Sequence, residues 1–151
     1  MEVLVLMDND TDFNIDESFF ENIAEIVLKD ERIKYPFDTV EISLVITDDE
    51  EMKNINRLYR KIDKSTDVLS FPINENRVIH SKLLGDIVIS IDKARSQSIE
   101  NGLNLEEEVG NLFIHGLLHL LGFDHERSES EEQEMFEIQD EIFDKIFYKN
   151  S

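Results

Sequence analysis

Three of the four histidines in this chain fall within eleven residues, at His115, His119 and His125, in the pattern H-x-x-x-H-x-x-G-x-x-H. From Leu112 to Phe123 the only polar side chains are His115 and His119, and the rest are Leu, Ile, Phe or Gly. So dense an apolar run predicts a buried helix. Residues four apart share a helical face, so both imidazoles point the same way. Burying them without partners would cost several kcal/mol, at roughly 1–3 kcal/mol for each unsatisfied polar group. A metal ion satisfies both at once. Gly122 reaches the left-handed conformation freely and is a common helix stop, so a turn there can return His125 to the same point. Three imidazoles with an open fourth position is the usual form of a catalytic zinc site. One zinc ion is therefore the expected cofactor, although imidazole also suits copper, nickel and iron. A single histidine in such a run would be an ordinary core residue; three at this spacing are not.

One residue sets this pattern apart from the H-E-x-x-H metalloproteases. There the residue after the first histidine is a glutamate that acts as general base. Here it is Gly116. The ligand spacing survives and the usual peptidase base does not.

The elements that must position these residues follow from periodicity. Glu2 to Met7 reads as a first strand, and roughly Asp16 to Glu31 as an amphipathic helix with Phe19, Phe20, Ile23, Ile26 and Val27 inward. Asp8 to Asp12 resembles the start of a calcium loop but lacks its Gly at position six and Glu at position twelve. Val40 to Thr47 alternates as a strand. Thr47 to Glu50 has the form of a capping box for a helix running to about Tyr59. On that helix Lys53, Arg57 and Arg60 or Lys61 lie on or near one face. A polar turn from Ser65 leads into a short strand that Pro72 stops or keeps at an edge. Asn74 to Lys82 reads as a loop, Leu84 to Ile91 as a strand and Asp92 to Gly102 as a helix. Asn104 with Glu107 can cap the histidine helix, and Ser128 with Glu131 can open a last helix with Met135, Ile138, Ile142, Phe143 and Ile146 inward. The order predicts one α+β domain over residues 1–151, a small sheet of about four strands with helices packed on it.

At 151 residues the chain can bury a sizeable core. It has no cysteine, hence no disulfide, thiolate ligand or cysteine nucleophile. The first residues are too short and acidic a run for a signal peptide, and no apolar run approaches 18 residues. A cytoplasmic protein without a membrane partner is expected. The formal net charge of −20 argues against tight, nonspecific binding to a polyanion. The distribution is uneven: from Lys53 to Arg95 nine Lys/Arg face five acids, and the negative charge gathers toward the ends of the chain.

Three blocks together carry a family resemblance. His115 to His125, Tyr59 to Pro72 and Leu84 to Ile87 occur in that order. The first block is similar to the histidine signature of the YbeY endoribonucleases, also called bacterial rRNA maturation factors. The second resembles their Y-R-G-x-D-x-P-T-D-V-L-S-F-P, and the third their L-G-D-I strand. The likeness covers roughly residues 54 to 126. Lys61 stands where the pattern has Gly, Ser65 where it has Pro, and Phe123 where it usually has Tyr.

The resemblance implies a mostly parallel sheet with helices on its faces and one zinc ion held by His115, His119 and His125. It implies a functionally important arginine at Arg60, in a groove beside the metal. It further implies a metal-dependent endoribonuclease specific for single-stranded RNA, acting in 16S rRNA 3′-end maturation and ribosome quality control. A ribosome or a ribosomal protein is the expected partner. On this reading the metal polarises the phosphodiester while Arg60 contacts the phosphate, and Arg57 and Lys61 extend a basic groove. The nucleophile is either water or the RNA's own 2′-hydroxyl. Asp124 and Asp86 are candidates for a general base, each with a structural role as its alternative. Asn111, four residues before His115, is either a partner of the metal ligands or a surface residue. Two other readings compete: a zinc-dependent peptidase or amidase, which Gly116 disfavours, and a noncatalytic ribosome-assembly module with a structural metal. His80, the remaining histidine, is the conceivable fourth ligand of the latter.

Overall fold

The computed structural model describes residues 1–75, 77–124 and 128–148. Among these, four strands form one sheet: β1 (Glu2–Asn9), β2 (Thr39–Thr47), β3 (Val68–Pro72) and β4 (Leu83–Ser90). Their order is β1-β2-β4-β3. β1, β2 and β4 run parallel, and β3 pairs with β4 in the antiparallel sense. Five helices accompany the sheet: α1 (Glu17–Leu28), α2 (Asp49–Arg60), α3 (Ile91–Asn101), α4 (Leu105–Leu120) and α5 (Glu129–Phe147). This is the α+β arrangement expected from the element order, with the mostly parallel sheet that the resemblance implies.

Each strand's composition fits its place. β2 buries Val40, Ile42, Leu44 and Ile46 in alternation. β4 is central and buried along most of its length, as parallel strands covered on both faces are. Pro72 ends the edge strand β3, where a missing N–H costs no ladder bond. Gly85 sits opposite Pro72 at φ +137°, and a Cβ there would lie 2.2 Å from the Phe71 carbonyl oxygen. Only glycine fits that bend.

The core lies between the sheet and a layer of helices. Phe20, Ile23 and Val27 of α1, Phe113 and Leu117 of α4, and Met135, Ile138 and Ile142 of α5 belong to it. Phe20 and Phe113 meet ring to ring at 5.0 Å between centroids. On the opposite face of the sheet, Met52 of α2 packs against Leu69 and Val88. No helix among the described residues is long and apolar enough to cross a membrane.

Several element ends and caps differ from the sequence expectation: β1 runs on to Asn9, and β4 stops at Ser90 so that Ile91 opens α3. α1 is shorter at both ends. Asp16 is extended, and after Leu28 the Asp30 carboxylate accepts the Arg32 amide and guanidinium, which bends the chain into a turn. Thr47 does not cap α2. It is buried as the last residue of β2, and its hydroxyl donates to Asp10 instead. Asp48 takes the capping role, its carboxylate accepting the Glu51 amide at 2.8 Å. At α5, Ser128 accepts the Glu131 amide, but the return bond of a capping box is replaced by a buried Glu131 Oε2 with no hydrogen-bond partner among the described residues.

Candidate active site

α4 is built to hold two histidines still. Asn104 accepts the Glu107 amide at 2.8 Å, and the Glu107 carboxylate accepts the Asn104 amide at 3.0 Å, so the expected capping box is complete. Three acids in the first turn complement the positive end of the helix dipole. The helix ends in a Schellman motif: the Phe123 amide donates to the Leu118 carbonyl and the Gly122 amide to the His119 carbonyl, both at 3.0 Å. Gly122 supplies the required positive φ of +98°. A Cβ on Gly122 would lie 2.5 Å from the Arg77 backbone nitrogen, so the loop after β3 crosses directly over this turn. The Arg77 guanidinium then covers the Phe123 ring at 3.9 Å and pairs with Glu134 of α5 at 2.6 Å.

His115 and His119 come together as the i, i+4 spacing predicts, with ring centroids 4.9 Å apart. Both line a cleft of about 660 Å³. Arg60, the last residue of α2, lines the same cleft, together with Ser70 of β3 and Asp124 beyond the turn. Asp124, two residues past Gly122, still borders the cleft of the two histidines. A smaller cavity of about 270 Å³ borders His119 and Asp124 with Pro72, Asn74 and Glu75. His125, the third expected ligand, lies outside the described residues.

Arg60 is exposed and makes no hydrogen bond or ion pair among the described residues, so its fork is available to an anion. Its place is fixed by the loop that follows. Lys61 takes the left-handed conformation at φ 62° where the family pattern has Gly. Asn56 donates to the Lys64 carbonyl at 2.8 Å. Ser65, in place of Pro, donates its hydroxyl to Asp49 at 2.9 Å, so a side-chain bond replaces the ring's rigidity. Burial works to raise the Asp49 carboxyl, but the hydroxyls of Ser90 and Ser65 and the ammonium of Lys93 outweigh it and hold it below its usual value.

Gly116 answers why no glutamate follows the first histidine. Its Cβ position is 2.9 Å from Ile87 Cγ2 and 3.2 Å from Ser70 Oγ, and the Ser70 hydroxyl donates to the Gly116 carbonyl. This face of α4 is pressed against the sheet rather than turned to the cleft. A glutamate there would fill no useful space.

The remaining candidates separate cleanly. Asn111 is a partner: its Oδ1 accepts from Gln139 Nε2 at 3.1 Å, and Gln139 Oε1 lies 2.9 Å from His115 Nδ1. Asp86 pairs in register with Phe71 and does not line the cleft, which leaves Asp124 the better-placed of the two carboxylates. His80 is exposed and away from the cleft lining, with its amide bound to Asn74. Arg57 and Lys61 are exposed outside the lining, and Arg57 donates to Asn54. Sequence reasoning missed Gln139 and Phe136 of α5, which both line the cleft. The signal was present: Gln139 is the one polar residue within the stripe Met135, Ile138, Ile142 and Phe143, and it is buried with them. Two acids also line the cleft, Asp67 and Glu108. Burial pushes the Glu108 carboxyl up, an Asn101 hydrogen bond opposes this, and the nearby Asp67 charge adds to the rise.

Among the described residues two donors of the kind a metal takes stand together, short of a complete set of three. Two imidazoles share one helical face and one cleft, and Nδ1 of His115 lies 2.9 Å from Gln139 Oε1, so that Nε2 is the nitrogen His115 would offer to a metal. His115, His119 and, from the sequence, His125 are the residues that would hold it.

Comparison with known proteins points to one family. Residues 6–147 match the family model of the endoribonuclease YbeY. The chain is 50% identical over 136 residues to the endoribonuclease YbeY of Persephonella marina, covering 89% of this chain and 86% of that protein. It is 45% identical over 130 residues to the Acholeplasma laidlawii endoribonuclease YbeY, covering 86% and 88%. The solution structure of a Thermotoga maritima protein superposes with a TM-score of 0.63 at 27% identity, over 96% of this chain and 89% of that one.

Proposed function

We propose the function on one premise: this chain belongs to the endoribonuclease YbeY family. It is a metal-dependent endoribonuclease that cleaves single-stranded RNA, with His115, His119 and His125 holding one zinc ion and Arg60 binding the scissile phosphate. The observation that carries this reading is the cleft in which His115, His119 and an uncommitted Arg60 converge from two different helices. When bound, zinc supplies Lewis acidity toward a phosphodiester oxygen and acidifies water. Arg60 orients the phosphate through its planar fork and offsets the charge that grows on it during cleavage. Asp124 lines the same cleft as the histidines and is the carboxylate we assign to accept a proton or to orient a ligand. The peptidase or amidase alternative loses support, because the position of the usual base is packed against Ile87.

The balance of charge bears on how the RNA is held. A chain of net charge −20 binds RNA weakly on its own, so recognition relies on the local basic surplus between Lys53 and Arg95. A ribosomal particle or ribosomal protein supplies the rest. The role that follows is rRNA processing in the cytoplasm, including maturation of the 16S 3′ end and ribosome quality control.

The test is metal content and cleavage of single-stranded RNA, measured together in wild type, His115→Ala and Arg60→Ala. Wild type carries about one zinc per chain, and His115→Ala loses both the metal and cleavage. Arg60→Ala keeps the metal and loses about 10²–10³-fold in cleavage, the scale for removing a charge-stabilising donor. Cleavage by metal-free His115→Ala would sink the reading.

A further inference from the structure

We propose that α5, which contributes no expected ligand, sets the tautomer and orientation of His115 through Gln139, with Asn111 holding the Gln139 amide in the required sense. The inference rests on the reading of His115 as a metal ligand. Gln139 is 7% exposed, on the face of α5 that otherwise buries Met135, Ile138 and Ile142. A leucine there would satisfy packing, and a buried amide is tolerated only when its hydrogen bonds are made.

Those bonds run in one direction. Gln139 Nε2 donates to Asn111 Oδ1 at 3.1 Å, which turns Oε1 toward His115 Nδ1 at 2.9 Å. An amide oxygen can only accept, so Nδ1 carries the proton and Nε2 keeps the lone pair. Reversing the amide would place two oxygens against each other at Asn111 and a donor against Nδ1, and the proton would move to Nε2. The ring plane is held as well. Phe136, one turn earlier on the same helix face, stacks on His115 at 6.2 Å and 24°. Gln139 is thus a positioning residue, and the C-terminal helix presents one ligand of the metal in its binding form.

The experiment uses metal-free protein labelled with ¹⁵N-histidine, in which long-range ¹H–¹⁵N spectra report the His115 tautomer. Zinc dissociation constants follow from chelator competition on the same samples. Wild type shows the Nδ1–H tautomer. Gln139→Leu shifts His115 toward Nε2–H and weakens zinc about 10–100-fold. Gln139→Glu keeps an acceptor for Nδ1–H, its second oxygen met by the Asn111 amide turned to donate, and retains the Nδ1–H tautomer and zinc binding. The proposal is overturned by Gln139→Leu with an unchanged tautomer and zinc affinity within about threefold, or by Gln139→Glu losing zinc as Gln139→Leu does, where the effect is general rather than through the acceptor. If Gln139→Leu fails to fold, Asn111→Ala serves: a mixed tautomer supports the relay, and an unchanged one overturns it. Failure of the metal reading looks different. Wild type then takes up no zinc whatever its tautomer, and the role of Gln139 falls with it.

Discussion

α4 and α2 bring the proposed metal ligands and the proposed phosphate-binding arginine to one cleft from opposite environments. α4 is buried over most of its length, capped at both ends, and pressed so closely on the sheet that Gly116 has no room for a Cβ. α2 buries only Met52 and Asn56, and the rest of it is exposed or half-exposed. His115 and His119 are fixed by the packing of a whole element. Arg60 is fixed by the few bonds of the loop behind it, those of Asn56 and Ser65. Metal ligands must converge within tenths of an ångström, whereas a guanidinium reaching for a phosphate tolerates play. Substitutions in α4 should therefore cost stability, and substitutions in α2 should act on RNA with little effect on the fold.

The largest effect is expected for Gly116→Glu. The substitution drives a carboxylate into the contact between α4 and Ile87, combining overpacking with a buried charge. A loss of more than about 4 kcal/mol should leave the protein unfolded or aggregated by circular dichroism and gel filtration. A folded Gly116→Glu protein would mean that this face of α4 is not locked to the sheet. Next comes Gly122→Ala. It forces a side chain into φ +98° and against the Arg77 backbone. Strain and clash together should cost about 2–4 kcal/mol, a fall of about 5–15 °C in Tm for a chain of this size. Zinc affinity should fall too, because the turn that leads to Asp124 and His125 moves.

Glu108→Gln is a gentler test of the buried side. The folded-state pKa of Glu108 is raised, so the native protein holds this proton more tightly than the unfolded chain does. Stability is then lost as pH rises from the ordinary Glu value through the raised one. Glutamine removes that loss while keeping an oxygen for Asn101. The variant should be the more stable at pH 7, and its advantage should vanish below about pH 4, where both forms are neutral. Thermal melts across this range check the sign, and an advantage that grows in acid would refute it.

What could be read without the fold divides along the same line. The histidine helix, its cap at Asn104 and its stop at Gly122 are local, set by periodicity and by residues that fit only certain dihedrals. The convergence of His115 and His119 is also local, because i and i+4 meet on any helix. Arg60 reached the cleft only through resemblance, since nothing in α2 alone separates it from Lys53 or Arg57. Gln139 and Phe136 were missed because their meaning depends on α5 packing across α4, a contact between residues 24 or so apart in sequence. Thr47 was misread as a cap because its hydroxyl had a stronger claim in the buried end of β2, near Asp10.

The smallest effect on the fold belongs to the α2 side. Lys61 holds the left-handed conformation at φ 62°, which costs a residue with a Cβ about 1–2 kcal/mol relative to glycine. Glycine recovers that strain but adds about 0.5–1 kcal/mol of chain entropy in the unfolded state. Lys61→Gly should therefore be neutral to slightly stabilising, by about 0.5 kcal/mol in denaturant titrations. Its effect on RNA should run the other way. If Lys61 extends the basic rim that begins at Arg60, removing it weakens binding and lowers the slope of log affinity against log salt by about one contact. A gain in stability with a loss in RNA affinity would establish that the lysine is kept for its charge against the preference of the backbone. Equal salt slopes for the two proteins would show that Lys61 makes no phosphate contact.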